Sequence, residues 1–434
     1  MMKKSLIIFA AAATLALANV SHAKVYIDLS APAVKKLIIA VEDFSASAPA
    51  GDSKTLRDEL MSTLKSDLKF SGLFSVVEAG ALLADGVAED AAGDAFGRCR
   101  SLGADTLAGG SYAAENESLV VEARFYDCVN QKELIVRRYI GNPANPRKLM
   151  HYFADHLYEE LTGKEGIFTT RLLFVSDRTG NKEIYMSDYD GKNVRRITGN
   201  RSINLSPQWS PDGKKILYTS YKRKRPSLYM LDTVSGAETI ISDRPGINIS
   251  GRFSPDGGRA ALTGSAEKSP ELYIVDLTSG GFTRLTDNYG IDVSPSWSPD
   301  GKKMAFVSDT SGNPHIFVLH LDSGELKRLT YDGKYNSSPS WSPDGKRIAY
   351  ARSDNGSAFN IWVMDPDGSG AQQLTFDGNN KTPSWSPDAR FIVFGSTGRG
   401  QSGLYIMQSD GGGTVRVDTG ASGDKTPAWS PYLR

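Results

Sequence analysis

The sequence predicts a multidomain protein that combines α/β and all-β parts. An N-terminal mixed α/β domain is followed by a six-bladed β-propeller that the C-terminal strand closes. A short motif recurs at a fixed period in the C-terminal part, and the residues before it show helical patterns that the repeat lacks. The predicted domains are a signal peptide over 1–23, an α/β domain with an N-terminal arm over 24–165, and the propeller over 166–434.

The repeated motif is W-S-P-D-G or a close variant of it. Its first residue recurs every 44 residues, at Trp209, Phe253, Trp297, Trp341, Trp385 and Trp429. A constant period indicates that each unit is one equivalent structural block. Pro, Asp and Gly in this order are typical of a tight turn. We expect the aromatic residue to pack between neighbouring blades, so the motif builds the fold and performs no chemistry.

Each repeat unit contains four short strand patterns, which is the content of a propeller blade. In the unit 336–377 the predicted strands are 336–341, 347–351, 360–364 and 371–375. The first unit lacks an innermost strand and opens at Arg171, whereas the last unit, from Asp424, supplies only an innermost strand. The two halves are complementary, so we expect the C-terminal strand to close a ring of six blades without an open edge. A linear solenoid would need capping units, which the sequence does not show.

Residues 24–165 carry a different pattern. Ser53 could cap a helix that bears an apolar stripe of leucines. Two further helices alternate with apolar strand patterns, two of which form a hairpin with Asn130 in its turn. This order predicts a small mixed sheet with helices packed on it. A linker is expected over 163–166. The stripe consists of Leu56, Leu60, Leu64 and Leu68; the strands are 37–41, 74–77, 106–108, 119–126 and 134–139, and the further helices are 91–102 and 148–161.

The first residues have the features of a secretory signal peptide. Lys3 and Lys4 precede a short apolar core, and small residues precede a cleavage site after Ala23. The apolar stretch is too short for a comfortable membrane span. We therefore expect export to the periplasm. The mature chain would carry 48 basic and 50 acidic residues, a net charge of −2, which gives no polybasic signal for nucleic acid or anionic lipid.

Two features of the mature N-terminal region leave alternatives open. Residues 24–30 alternate apolar and polar side chains. They could add a strand to the sheet edge of another protein or form an edge strand of their own domain. Cys99 and Cys128 could form a disulfide, because an exported protein meets an oxidising compartment. They could equally be two buried thiols, since the spacing does not show whether their Cα atoms are within reach.

In every unit an asparagine or aspartate lies five residues before the repeated aromatic residue. We call these six residues the polar column. Because this position lies where the chain enters the innermost strand, we expect the six side chains to ring one mouth of the central channel. They could stabilise that turn, or they could bind a partner loop, a water chain or a cation. The column consists of Asn204, Asn248, Asp292, Asn336, Asn380 and Asp424.

The sequence favours a non-enzymatic function without cofactor or metal. The mature histidines are His151, His156, His315 and His320, and their spacing builds no metal cage. A G-x-S-x-G nucleophile elbow is absent. Two other functions remain as alternatives: a periplasmic propeller enzyme with a site in the channel, and a binding module for cell-wall polysaccharide. The enzyme predicts a His or carboxylate cluster in the channel, and the wall-binding module predicts exposed aromatic residues at the mouth.

The ordered combination of these features resembles the TolB family, the periplasmic propeller proteins of the Tol-Pal system, over the whole chain. The segments that carry the resemblance are the signal peptide, 24–28, 35–40, 102–105, the six-unit array and 427–433. The resemblance implies a monomeric scaffold that binds the lipoprotein Pal at the propeller mouth, with other outer-membrane lipoproteins as further candidate partners. It further implies that the arm binds the C-terminal domain of TolA. Such a protein supports outer-membrane integrity and cell division, binds no nucleic acid and does not insert into the membrane.

The resemblance also assigns binding residues. The loops that enter the innermost strands correspond to the Pal-binding face. A histidine contact of the family, in the loop before Phe253, aligns with Ile247 here, and the aligned neighbour one blade on is Val293. Pal docking is therefore expected to use different side chains in this chain. The TolA-binding arm corresponds to Lys24, Val25, Tyr26, Ile27, Asp28 and Leu29.

Overall fold

A computed structural model describes residues 27, 36–47, 53–78, 94–115, 117–398 and 400–433. The predicted signal peptide lies outside the described residues, as do all the predicted arm residues except Ile27. Within the described part of the chain, no helix is both long and apolar enough to cross a membrane. The predicted fold is confirmed: a mixed α/β domain precedes a closed propeller of six blades.

The N-terminal domain is built on one mixed sheet with the strand order β3-β1-β4-β5-β6. Strand β1 runs parallel to both β3 and β4, whereas β4, β5 and β6 form an antiparallel meander, and the short β2 also pairs with β4. Strand β4 is longer than predicted because it pairs with β5 along its whole length. The strands are β1 (Leu37–Val41), β2 (Ser45–Ala46), β3 (Phe74–Glu78), β4 (Thr106–Glu115), β5 (Ser118–Asp127) and β6 (Lys132–Gly141).

Three helices lie in the described part of this domain: α1 (Lys54–Phe70), α2 (Ala95–Leu102) and α3 (Arg147–Thr162). The predicted cap of α1 is present, because the Ser53 hydroxyl accepts a hydrogen bond from the Leu56 backbone N–H at 3.4 Å. The predicted leucine stripe faces the core: Leu60, Leu64 and Leu68 are fully buried, and Leu56 packs at the edge. Burial of this stripe fixes α1 beside α3.

Cys99 and Cys128 form a disulfide, with Cα atoms 5.7 Å apart. Cys99 lies in α2, and Cys128 directly follows β5. The bridge therefore ties the short helix α2 to the edge of the hairpin. The sequence left open a disulfide or two buried thiols, and the structure contains the disulfide.

The propeller consists of six four-stranded antiparallel sheets. The closing strand β30 (Lys425–Trp429) pairs with β7 (Arg171–Ser176), so the first blade contains both ends of the array, as predicted. The first blade continues with β8 (Glu183–Asp188) and β9 (Arg195–Arg196). The second blade consists of β10 (Asn204–Trp209), β11 (Lys215–Ser220), β12 (Ser227–Asp232) and β13 (Glu238–Ser242), and the third of β14 (Asn248–Phe253), β15 (Arg259–Gly264), β16 (Glu271–Asp276) and β17 (Phe282–Arg284). The fourth blade consists of β18 (Asp292–Trp297), β19 (Lys303–Ser308), β20 (His315–His320) and β21 (Leu326–Arg328), and the fifth of β22 (Tyr335–Trp341), β23 (Ile348–Ser353), β24 (Asn360–Met364) and β25 (Gln372–Gln373). The sixth blade consists of β26 (Asn379–Trp385), β27 (Phe391–Thr397), β28 (Gly403–Gln408) and β29 (Val415–Arg416).

The repeated aromatic residues pack between blades, as expected. Trp341 is 8% exposed and contacts core residues of both its own blade and the preceding one. The indole N–H of Trp385 donates to the Ser340 carbonyl of the preceding blade at 2.9 Å. The turn that follows is also specific, since the Ser342 hydroxyl donates to Asp344 at 2.6 Å. One motif therefore both closes a turn and joins two blades.

The N-terminal domain packs on the propeller face that carries the turns between first and second strands and between third and fourth strands. Arg390, in such a turn, donates to the Tyr158 hydroxyl at 2.7 Å and to the Ser71 carbonyl at 3.1 Å. One apolar cluster contains residues of both domains, among them Phe153 and Phe391. The opposite face of the propeller, where the chain enters each innermost strand, lies away from this interface.

Candidate partner-binding surface

The loops on the free face connect the outermost strand of one blade to the innermost strand of the next. Each loop ends at the polar column that the sequence singled out. Since all six loops surround the channel, their exposed side chains form one annular surface. We call this surface the mouth.

The six column residues lie under the mouth and not on it. All are buried, with exposures of 0–2%, which favours the first of the two open alternatives, stabilisation of the turn that enters the innermost strand. The asparagines donate to backbone carbonyls of their own loops, as Asn336 does to Asp332 at 2.9 Å and Asn380 to Asp377 at 2.7 Å. The two aspartates accept from loop side chains instead, as Asp292 does from the Asn288 amide at 2.7 Å. A role in partner binding stays a prediction, and it would act through the loops that these residues hold. The buried set is Asn204, Asn248, Asp292, Asn336, Asn380 and Asp424.

The two positions aligned with family contacts lie beside the column. Ile247 and Val293 are both partly buried. The backbone N–H of Ile247 donates to the Ser265 hydroxyl at 3.0 Å, and Val293 packs against the core cluster that contains Trp341. Each presents only part of its side chain at the mouth, and contact with a partner stays a prediction for both.

Sequence reasoning missed a group of large apolar side chains that are exposed on these loops. Tyr289, Tyr331 and Phe376 are 87%, 70% and 77% exposed. The sequence feature that could have revealed these three is an aromatic residue in a loop rich in Gly, Asp and Asn between two blades. Tyr289, Tyr331 and Phe376 each lie at a different position of the repeat, so a search for periodic columns does not find these three. Together we call them the mouth cluster: Ile203, Tyr289, Ile291, Tyr331, Tyr335 and Phe376.

Charged side chains around the mouth are largely paired with one another. Arg178 lies 2.8 Å from Asp424, and Arg225 lies 2.7 Å from Asp243. Arg225 and the Ser227 hydroxyl hold the pKa of Asp243 well below its usual range. A neutralised polar rim around exposed aromatic residues is the arrangement common at protein interfaces.

The channel below the mouth has a volume of about 490 Å³. A ring of hydroxyl residues three positions before each aromatic lines it, and these residues have positive φ values between 49° and 58°. Each lies in a β-bulge where the innermost strand loses register with its neighbour. Non-glycine residues adopt this conformation only where the surrounding structure imposes it. The ring consists of Ser206, Ser250, Ser294, Ser338, Thr382 and Thr426.

A buried polar cluster joins the two domains on the opposite face. Asp67 of α1 accepts hydrogen bonds from His151 of α3 at 2.8 Å and from the Tyr189 hydroxyl of the propeller at 2.7 Å. Burial raises the pKa of Asp67. Burial alone would lower the pKa of His151, but the adjacent Asp67 carboxylate outweighs it, so the pKa is raised. This cluster couples the orientation of α1 and α3 to the first blade.

Ligand atoms of His151, Asp188 and Asp190 lie within 4.8 Å of one another, which is close enough to consider a metal. However, Asp190 pairs with Arg147, and Asp188 accepts a hydrogen bond from Asn193 at 2.6 Å. These carboxylates are engaged with protein donors, so the group serves the domain interface.

The described residue of the arm lies against the N-terminal domain. The backbone N–H of Ile27 donates to the Leu161 carbonyl near the end of α3 at 2.9 Å, and its side chain packs at the edge of the shared core. Lys24, Val25, Tyr26, Asp28 and Leu29 lie outside the described residues. The two alternatives for the arm therefore both remain open.

Comparison with known proteins gives a consistent result. The family described as "TolB amino-terminal domain" matches residues 25–134, and the "TolB beta propeller domain" matches residues 158–433. The Tol-Pal system protein TolB of Geobacter sulfurreducens is 39% identical over 192 residues, which is 44% of each chain. The protein of the same name from Syntrophotalea carbinolica is 44% identical over 161 residues, 37% of each. The matches thus span less than half the length of these curated relatives.

A solved structure extends the likeness to nearly the whole chain. The crystal structure of TolB from Acinetobacter baumannii is similar with a TM-score of 0.79 at 28% identity, over 92% of this chain and 97% of that one. The propeller family alone matches more than half of the chain. From its repeat, its closed six-bladed ring and these matches, the chain belongs to the TolB family.

Proposed function

We propose that this chain is a periplasmic, non-enzymatic adaptor of the Tol-Pal system. The mouth binds the peptidoglycan-associated lipoprotein Pal, and the N-terminal arm binds the C-terminal domain of the inner-membrane protein TolA. In this role it supports outer-membrane integrity and cell division. The observation that carries the proposal is the mouth cluster, which is exposed on the propeller face opposite the N-terminal domain.

The mouth has the composition of a protein-binding surface. Tyrosine is enriched among residues that dominate binding energy, and a rim of polar groups that excludes water usually surrounds such residues. Here the tyrosines and Phe376 project from loops that the buried column residues hold in place. A surface held in this way loses little conformational freedom on binding.

The arm supplies the second site. Its alternating pattern suits strand addition to a partner sheet, in which main-chain hydrogen bonds provide the affinity. Ile27 supports this proposal, because its backbone N–H donates to the Leu161 carbonyl near the end of α3. If Pal binding shifts the balance between a docked and a released arm, TolA binding must shift Pal affinity by the same factor.

Deletion of residues 24–30 tests the separation of the two sites. The deletion removes the whole arm and leaves the mouth intact, so TolA binding should be lost and Pal affinity should stay within a few fold. Both affinities can be measured by calorimetry with purified domains. Loss of both interactions on this deletion would contradict two separate sites.

One observation favours a second candidate function, because exposed aromatic residues at the mouth are also what a wall-polysaccharide module requires. Capture from envelope extract followed by mass spectrometry separates the two. A lipoprotein with a peptidoglycan-binding domain supports the adaptor, whereas recovery of glycan alone supports the wall-binding module. The enzyme alternative has less support: the channel lining, all of it in the described residues, carries neither carboxylate nor imidazole.

A further inference from the structure

The channel is chemically asymmetric. Its lining, which lies wholly within the described residues, consists of serine, threonine, proline, glutamine and aromatic side chains with one charged residue, Arg252. Arg252 directly precedes the motif aromatic of its blade. The other five blades carry neutral residues at this position: Gln208, Ser296, Ser340, Ser384 and Ala428. The guanidinium is therefore specific to one blade and is not required by the repeat.

Arg252 forms no ion pair within the described residues. Its Nη1 donates to the Gly251 carbonyl at 3.2 Å, which engages one of five N–H donors. The side chain is partly open to the channel, and burial lowers its pKa to about 10, so it stays charged at neutral pH. A guanidinium that is largely desolvated and lacks a counter-ion is unfavourable unless another group neutralises it.

The serine hydroxyls at the position equivalent to Arg252 add further donors. The Ser296 hydroxyl oxygen accepts from the Trp341 backbone N–H at 3.1 Å, and the Ser384 hydroxyl oxygen accepts from that of Trp429 at 3.0 Å. Each hydroxyl accepts one hydrogen bond in this way and can still donate its own proton. Carbonyl acceptors are consumed as well, because the Trp297 indole donates to the Arg252 carbonyl at 3.2 Å.

A cavity with one fixed positive charge, spare hydroxyl protons and no carboxylate in its described lining is complementary to an anion. We propose that the channel binds an oxyanion or carboxylate group, with Arg252 as a bidentate donor and the serine hydroxyls as secondary donors. The site is separate from the mouth cluster and does not depend on the identity of a protein partner. Its volume of about 490 Å³ accommodates a small anion with its bridging waters.

Titration of the purified chain with inorganic phosphate, at constant ionic strength set with sodium chloride, tests the proposal. Calorimetry should show saturable binding at one site, and the melting temperature should rise with phosphate. Arg252→Gln should weaken binding by at least about tenfold, because it removes the charge and the bidentate fork. The matched control is Arg137→Gln, which removes an exposed arginine from β6 and should leave binding unchanged.

Two further variants keep the test informative if Arg252→Gln is less stable. Arg252→Lys retains the charge without the fork and should bind phosphate more weakly than the original chain. Gln208→Glu places a carboxylate at the same ring position of the adjacent blade, where it would act as an internal counter-ion. It should abolish phosphate binding and raise the melting temperature. A lower melting temperature for this variant, or unchanged binding by Arg252→Gln, would overturn the proposal.

The anionic group could be a free ion or a carboxylate on a partner loop. A free ion predicts the phosphate response in the isolated chain. A partner carboxylate predicts no phosphate response but weaker capture of a partner by Arg252→Gln than by Arg137→Gln. If Arg252→Gln changes neither readout, the channel is not an anion site.

Discussion

Several buried side chains at the domain interface bind protons more tightly than they would in the unfolded chain. Asp155 of α3 accepts hydrogen bonds from the backbone N–H groups of Phe168 and Thr169 at 2.8 and 3.2 Å, which fixes the start of the propeller to α3. Burial raises the pKa of Asp155 to about 7 although these bonds act in the opposite direction. The pKa values of Asp67 and His151 are also raised.

The sign of the resulting pH dependence follows from linkage. A group whose pKa is raised on folding contributes stability that is complete below its unfolded pKa and is lost as the pH rises through its folded pKa. For Asp155 this window runs from its ordinary value of 3.8 up to about 7. Carboxyl groups with lowered pKa values, such as Asp243, stay ionised at pH 5 and above. Burial lowers the pKa values of His156 and His315, so these two groups act in the opposite direction.

We therefore predict that the melting temperature at pH 5, relative to that at pH 8, is higher in the original chain than in Asp155→Asn. The asparagine keeps an acceptor for Phe168 but no longer titrates. Calorimetric melts at several pH values measure both, with Asp58→Asn, an exposed carboxyl on α1, as the control. If Asp155→Asn keeps the full pH dependence of the original chain, Asp155 is not its source.

At the scale of the element, the innermost strands are irregular in every blade. Each contains a bulge whose first residue has positive φ, and in five of the six blades a proline follows it. The spacing of the repeat and the turn residues Pro, Asp and Gly predict where such a strand begins and ends. They do not predict the bulge, because serine and threonine have no intrinsic preference for positive φ, and only packing around the channel imposes it.

Paired glycine substitutions in β22 test whether this strain is real. Ser338 has a φ of 52°, whereas Ser337 pairs regularly with Ala351. Glycine tolerates positive φ, so Ser338→Gly should leave the free energy of unfolding unchanged or raise it. Ser337→Gly should lower it by about 0.5–1 kcal/mol, the usual cost of glycine inside a strand. Chemical denaturation compares the two, and equal destabilisation would show that Ser338 is not strained.

At the scale of the whole molecule, the sequence allowed the architecture to be predicted because blades are equivalent. The constant spacing of Trp209 to Trp429 requires equal units, and the partial units at Arg171 and Asp424 require closure. The same logic led the sequence analysis to residues that every blade shares. Residues common to all blades, such as Asn336, are those that every blade needs for its own structure, and they are buried.

Residues that distinguish one blade from the others carry the candidate functions. Tyr289, Phe376 and Arg252 occur at positions where the remaining blades differ. Their exposure or isolation depends on loop conformations and on the assembled ring, which no local pattern reports. Their roles could therefore be argued only from the folded chain.

The most direct test of the adaptor account is the affinity of Pal for a mouth variant. Tyr289→Ala, Tyr331→Ala and Phe376→Ala combined remove three exposed side chains and should leave the fold intact. If the mouth is the Pal site, affinity measured by calorimetry should fall by about 100-fold or more, as expected when central aromatic residues are lost. The matched control replaces the exposed Val129, Val136 and Ile140 of the N-terminal domain by alanine and should bind as the original chain does. Unchanged Pal affinity in the mouth variant, or an equal loss in the control, would contradict the account.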